Sequence, residues 1–454
     1  MNMRLTVNPS GLGGPFGKSE WDNQMPQNAL HASSAAQVIK AKRAAGVLRL
    51  SFGCAMACFT LGAIQAAHAQ TAAPAAPAAP ASWTSTIKYS GEIDGGISGN
   101  FDSPGSGLNF GQSTTDHANQ ATLNALFLTI ERDPNTSTST FDWGFKIQGE
   151  YGSDVRYTRY YGEFNHQDLR YMGDIAQAYL TAHGGGLFSG GYDIEAGQFV
   201  TPLGEEVIFP RSNLFYSHSY IYSYGLPVSE TGVEVAVHPA IADFYVGIDS
   251  GENTTIQGGD NNGAASYLAG VGKSVGNWTL LLLSHFGPED AGDNSHYRTF
   301  IDTVDSYKVN SALTLTTEGD YVYDAKYRAT AYGGTEYASY TLNSTTTLNG
   351  RIEVFNDQNS FFTFNPTVDN GEITGQGLVA PESATRNATT YGEVTVGVTY
   401  SPPNLPGPLS TLEFRPEVRF DDALKGAGPF DTNSDGTDGK KTQVTVAADA
   451  DLTF

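Results

Sequence analysis

From Trp83 to Phe454, apolar and polar side chains alternate with a period of two, in segments divided by clusters of Gly, Asn, Asp, Ser and Pro. In 442–454 one set is Val444, Val446, Ala448, Ala450, Leu452 and Phe454, and the other is Thr445, Ala447, Asp449, Asp451 and Thr453. Just upstream, Leu412, Phe414, Pro416, Val418 and Phe420 oppose Glu413, Arg415, Glu417, Arg419 and Asp421. A strand sends successive side chains to opposite faces, so five ionised positions in a row need water on one face. The five apolar positions behind them need lipid or a core. The same pattern sets Trp83, Ile87, Tyr89, Ile93 and Ile97 against Thr86, Lys88, Glu92 and Asp94. It also sets Phe141, Trp143, Phe145, Ile147 and Tyr151 against Asp142, Lys146, Gln148 and Glu150.

The pattern predicts sixteen strands, near 84–98, 118–132, 138–152, 173–183, 190–200, 228–238, 241–250, 264–274, 277–287, 298–308, 311–325, 328–342, 345–358, 388–401, 409–422 and 442–454. Reading one weak hairpin differently changes the count to fourteen or eighteen. The connections fall into two classes. Those at 133–137, 184–189, 239–240, 275–276, 309–310, 343–344 and 402–408 are short. Those at 99–117, 153–172, 201–227, 251–263, 288–297, 359–387 and 423–441 are longer, and 326–327 alone breaks the alternation. An all-β, antiparallel up-and-down transmembrane barrel with short periplasmic turns and long outer loops fits this arrangement. A soluble sandwich fits less well, because its edge strands would be left exposed.

The N-terminal part reads as an export signal. Lys40, Lys42, Arg43 and Arg49 precede an uncharged apolar core, Leu50 to Ile64, and Ala67-His68-Ala69 is a small-x-small cleavage site. Residues 1–39 are then an extended leader or reflect a start codon placed too early, and 70–82 form a Pro/Ala-rich periplasmic linker. Cleavage after Ala69 leaves 454 − 69 = 385 residues and removes both cysteines, Cys54 and Cys58. With no disulfide available, a closed ladder of backbone hydrogen bonds is the expected source of cohesion.

Composition narrows the class further. Only 16% of residues are charged, while Tyr and Phe number 24 each and Gly 52. Mean hydropathy is −0.28, too low for a bundle of apolar helices but compatible with a barrel whose lumen face is polar. The leader holds six Lys/Arg and two Asp/Glu, so the mature chain carries 25 − 6 = 19 basic and 48 − 2 = 46 acidic residues, a net −27. That excludes a nucleic-acid partner and points to a weak preference for cations.

The candidate site is polar rather than catalytic. The long third outer loop, 201–227, contains Glu205, Glu206 and Arg211 together with aromatics from Phe215 to Tyr224. Either it folds inward, with those three residues at a constriction, or it packs on lipopolysaccharide or a neighbouring subunit. Glu413, Arg415, Glu417, Arg419 and Asp421, with Arg351 and Glu353, form a charge ladder on the lumen wall. Such a ladder can set up a transverse field or stiffen the wall through interstrand ion pairs. Asp431-x-Asn433-x-Asp435-Gly436 has the first half of a calcium loop but Thr442 where the bidentate acid belongs, which favours a solvated acidic loop. The mature histidines show no metal-ligand spacing, and no G-x-S-x-G or cysteine nucleophile is present, so no enzyme, metal or cofactor is expected.

Three stretches resemble the OmpL-like outer-membrane β-barrel porins: Gly197-Gln-Phe-Val-Thr-Pro-Leu-Gly-Glu205, Ser219-Tyr-Ile-Tyr-Ser-Tyr-Gly-Leu-Pro227 running into Thr231-Gly-Val233, and Arg415-Pro-Glu-Val-Arg-Phe-Asp421. Arg351-Ile-Glu-Val-Phe-Asn-Asp357 departs from the pattern at Val354 and Asn356. The resemblance implies an outer-membrane barrel and suggests a porin, without indicating a substrate. The expectation is a passive diffusion channel for small hydrophilic solutes in a bacterial outer membrane. The alternative is a loop-plugged structural or adhesive barrel. Expected partners are outer-membrane lipids and lipopolysaccharide, small solutes or ions, and the barrel assembly machinery, which would read the terminal Phe454. A homotrimer is among the assemblies such a barrel admits.

Overall fold

The computed structural model describes residues 82–136, 141–164, 169–256, 258–363, 367–369, 372–374, 388–434 and 437–454. The leader, the export segment 40–69 and the linker up to residue 81 lie outside these, as do Asp435 and Gly436 of the acidic loop.

Sixteen antiparallel strands close into a barrel: β1 Lys88–Asn100, β2 Gln120–Arg132, β3 Asp142–Gly152, β4 Met172–Gly184, β5 Tyr192–Val200, β6 Ser229–Val237, β7 Asp243–Asp249, β8 Ser266–Val275, β9 Trp278–Gly287, β10 Arg298–Lys308, β11 Leu313–Asp324, β12 Ala329–Asn343, β13 Thr346–Asp357, β14 Thr389–Tyr400, β15 in two pieces (Thr411–Phe414 and Glu417–Lys425) and β16 Thr442–Thr453. Each strand pairs with its sequence neighbours. The seam closes where Glu92 to Asn100 of β1 run antiparallel to Thr453 to Thr445 of β16. Beyond this ladder Gly91 and Phe454 exchange both backbone hydrogen bonds, at 2.9 and 3.0 Å. Among the described residues, closure leaves no edge of the barrel sheet unpaired, as a chain crossing lipid requires.

Alternation becomes an inside-out burial pattern. On β1, Tyr89, Ile93 and Ile97 lie on the outer surface, while Asp94 and Ser98 are shut from water inside. On β16, Val444 and Val446 face out, and Gln443, Thr445, Asp449 and Asp451 face in. Outward aromatics gather at both ends of the wall. Trp143, Trp278, Tyr340, Tyr400 and Phe454 stand at the end of the short turns, and Tyr151, Tyr267, Tyr321 and Tyr332 at the opposite end, the last two beside the short β11–β12 connection, where amphipathic rings meet the two interfaces.

Three local expectations are corrected. The chain at Trp83–Thr86 is a 3₁₀ turn capped by Ser82 rather than the start of β1. Strand β15 is interrupted at Arg415-Pro416, because Pro416 has no N–H to give the ladder. The ladder resumes through the Pro416 carbonyl, which accepts from Val398 N–H at 3.0 Å. The lumen is also not polar all round. Leu281, Leu283, Phe300, Val304 and Val322 project inward from β9, β10 and β11 and form an apolar cluster with Leu203, Tyr220, Ile221, Tyr224 and Leu226. Those last five residues belong to the connection between β5 and β6.

Candidate functional site

The connection 201–228 leaves β5, crosses the inside of the barrel and returns to β6. Its neck is tied where Thr201 N–H donates to Val228 O at 3.0 Å. Nearly every residue along it is buried. A buried irregular segment must find partners for its backbone groups, and here the charged side chains of the wall provide them. Asp302 accepts from Gly204 N–H at 2.8 Å and Glu318 from Glu205 N–H at 2.9 Å. Glu417 accepts from the N–H groups of Tyr216 and Ser217 at 2.9 and 3.2 Å. Glu353 takes Tyr220 and Ile221 at 2.6 and 2.8 Å. The guanidinium groups serve the carbonyls. Arg351 donates to Ser217 O at 2.8 Å, Arg415 to Pro210 O and Asn213 O, and Arg419 to His218 O.

All seven ladder residues project inward. Arg351, Glu353, Arg415, Glu417, Arg419 and Asp421 are each at most 4% exposed. Their ion pairs are completed on the wall, with Arg351 to Glu393 at 2.8 Å, Arg419 to Asp421 at 2.7 Å, and Arg415 to Asp449. These six charges therefore meet the inward connection rather than open water. Glu413 is the exception and stays partly accessible. On the less well matched strand, Val354 faces outward and Asn356 donates to Thr389 O and Thr390 Oγ1.

The three loop candidates separate. Glu206 is buried, accepts from Arg351 at 2.6 Å and from Ser219 N–H at 2.8 Å, and contacts His218 Nδ1 at 3.1 Å. Burial alone would raise its carboxyl, but Arg351 and then His218 outweigh that and hold it at about 2. Burial in turn lowers His218. Glu205 stays partly exposed beside Glu318. Arg211 sits lower in the lumen, where its N–H donates to Glu92 at 3.1 Å and its guanidinium lies 3.4 Å from Glu413 and 3.7 Å from Asp451. Phe209 packs on Phe127 of β2 with ring centroids 5.3 Å apart. Below this contact a cavity of about 210 Å³ is lined by Glu92, Glu131, Lys146 and Arg211 among others.

Other long connections also turn inward. Residues 107–118 are almost wholly buried. Gln112 reaches Thr445 at 3.1 Å, and Ser113 meets Ser223 of the 201–228 segment at 3.2 Å. Asp116 is paired with Arg156 at 2.8 Å; burial opposes its ionisation, but Arg156 and His117 hold its carboxyl well below the usual range. In the acidic loop, Asp431 accepts from Asn100 at 2.9 Å. Sequence reasoning did not single out Asp116, Arg156 or the wall acids Asp302, Glu195, Glu230 and Glu234. The last four lie on the inward parity of their strands, which is a legible signal. The Asp116–Arg156 pair joins two loops and leaves no periodic trace.

No curated protein matches the chain in sequence. Its fold is similar to that of the anion-selective porin from Comamonas acidovorans, with a TM-score of 0.50 at 11% identity over 81% of this chain and 99% of that one. The outer membrane channel DcaP of Acinetobacter baumannii gives a TM-score of 0.49 at 12% identity over 81% and 97%. Residues 86–454 match the family model described as "Putative beta-barrel porin-2, OmpL-like". With that match spanning the whole barrel, the chain belongs to the OmpL-like β-barrel porins of the bacterial outer membrane.

Proposed function

We propose that this barrel is a narrow passive channel for small hydrophilic solutes and ions, constricted by the 201–228 connection, with a weak preference for cations. The observation that carries this reading is the division of the inward charges. Those bound to the connection are buried, with the three arginines paired to Glu206, Glu393, Asp449 and Asp421 and the remaining carboxylates taken up by the N–H groups of the connection. Those still reached by water around the lower lumen include Glu92, Glu131, Glu195, Glu205 and Glu413 against Lys146 and Arg211. A low-dielectric passage lined by an excess of one sign concentrates the opposite ion. Glu205, Glu206 and Arg211 are assigned to the constriction, and the ladder to fixing the position of the loop and so the bore. No bond-making chemistry is needed. Lipopolysaccharide at the outer girdle, the assembly machinery at Phe454 and a trimer of copies are the partners this reading carries.

Planar-bilayer recording tests it. Under a salt gradient the expected result is small steps of conductance with a reversal potential favouring cations. Anion preference would overturn the selectivity, and absence of conductance would overturn the channel. The latter result would favour the second reading, a loop-plugged barrel, which the inward packing of residues 107–118 over the 201–228 segment supports.

A further inference from the structure

On the lumen face of β5 and β6, Glu195 stands directly opposite Glu234 in the ladder. Glu230 lies four residues further along the same face, about 13 Å away at roughly 3.3 Å per residue. Like charges placed opposite one another weaken a sheet, and buried carboxylates demand partners. Here several of their oxygens lack them. Glu230 is 1% exposed and neither of its oxygens has a hydrogen-bond partner; Glu234 is 8% exposed and its Oε2 has none. Glu195 Oε2 has none either, although that side chain is only partly buried and so opens towards the lower lumen. Neither β5, β6 nor β7 contains a lysine or arginine. The nearest cations are committed, with Lys146 paired to Glu131 at 3.2 Å and His285 to Asp249 at 3.1 Å.

The acceptors are strung along a strand rather than gathered. Among the described residues no three acidic, histidine or cysteine side chains converge to hold a metal ion. A compact cation could satisfy one end of this row only. An elongated cation, with ammonium groups separated by short methylene runs, can give N–H donors to the Glu195–Glu234 pair and to Glu230 together. We propose that Glu195, Glu234 and Glu230 form a binding lane for aliphatic polyamines. The lane deepens the channel reading by naming a solute class, and rests on it for access from the lower lumen.

Isothermal titration of the refolded barrel in detergent micelles with spermidine tests the lane without requiring conduction. Spermidine is expected to bind, and butylamine, which carries a single ammonium, about tenfold more weakly. Glu230→Gln and Glu234→Gln should each weaken spermidine about tenfold, while Asp133→Asn, at the exposed rim, should leave it unchanged. The lane is overturned if the lane variants bind as the parent does, if Asp133→Asn weakens binding equally, or if magnesium chloride alone binds as tightly as spermidine. Should the buried variants fail to fold, judged by heat-modifiable migration, Glu195→Gln at the partly exposed end carries the same expectation. Conductance without lane-dependent binding would sink the lane alone; lane-dependent binding without conductance would sink the channel alone.

Discussion

Glu206 and Arg351 meet at 2.6 Å in the interior of the barrel, one on the inward connection and the other on β13, both cut off from water. Arg351 also holds Glu393 at 2.8 Å, so a single guanidinium secures two buried carboxylates. Removing one partner of such a group leaves uncompensated charge, at a cost of about 3–5 kcal/mol. Arg351→Met is therefore expected to lower unfolding stability in micelles by that order. Adding Glu206→Gln should recover part of the loss. Full stability of the single variant would show that the pair contributes little.

If the connection sets the bore, loosening its backbone attachments should show in the current before it shows in stability. Glu353→Gln weakens the acceptor for the Tyr220 and Ile221 N–H groups but keeps its shape. The expectation is larger and noisier single-channel steps with unfolding changed by about 1 kcal/mol. A trace indistinguishable from that of the parent would remove the 201–228 segment as the constriction.

Selectivity should follow the water-accessible charges and ignore the buried ones. Arg211→Gln is expected to move the reversal potential further towards cations, and Glu92→Gln to move it back. Arg419, whose charge is closed off by Asp421 and His218 O, offers a comparison. Substituting it should cost stability rather than alter ion preference.

His238, just past the end of β6, lies between Asp193 and Asp243 at 2.9 and 2.7 Å. These two hydrogen-bonded carboxylates raise it to about 9. A raised folded-state value means that its stabilising contribution is complete below the unfolded value near 6.5 and disappears as pH climbs through about 9. The melting difference between the parent and His238→Ala should be largest at pH 6 and vanish by about pH 10. A difference independent of pH would assign His238 to packing instead.

Most of the wall was legible because lipid imposes a strict rule: a strand that crosses it must alternate, and Val418 against Arg419 shows that rule residue by residue. All sixteen strands lie close to their expected positions, and the misfits have local causes, such as the missing N–H of Pro416. What fills the lumen was not legible in the same way. Parity says that Arg419 points inward. It is silent on whether water or the carbonyl of His218, two hundred residues away, will meet it. The inward leucines of β9 were not legible for the same reason. Leu281 and Leu283 share the lumen face with polar neighbours, and only the presence of Leu203 and Leu226 explains them.

A Cβ at Gly91 would lie 2.3 Å from the ring of Phe454, so the terminal aromatic rests directly on a glycine of the first strand. Gly91→Val should push the ring outward and lower the folded yield in cells, as Phe454→Ala would if the assembly machinery reads that ring. Refolding in micelles, where no machinery is present, should be much less affected.

The attachment of the 201–228 segment also has an implication for the order of events in biogenesis. Its acceptors and donors sit on strands made late: Glu353 on β13, and Arg415, Glu417 and Arg419 on β15. While the nascent chain is still short of those strands, the segment has no anchor for much of its backbone and nothing to hold it across the barrel. Inward segment and wall must therefore mature together. A barrel stalled before its last strands would lack both its seam and these attachments, so the final hairpin seals the wall and completes the anchoring of the segment in one step.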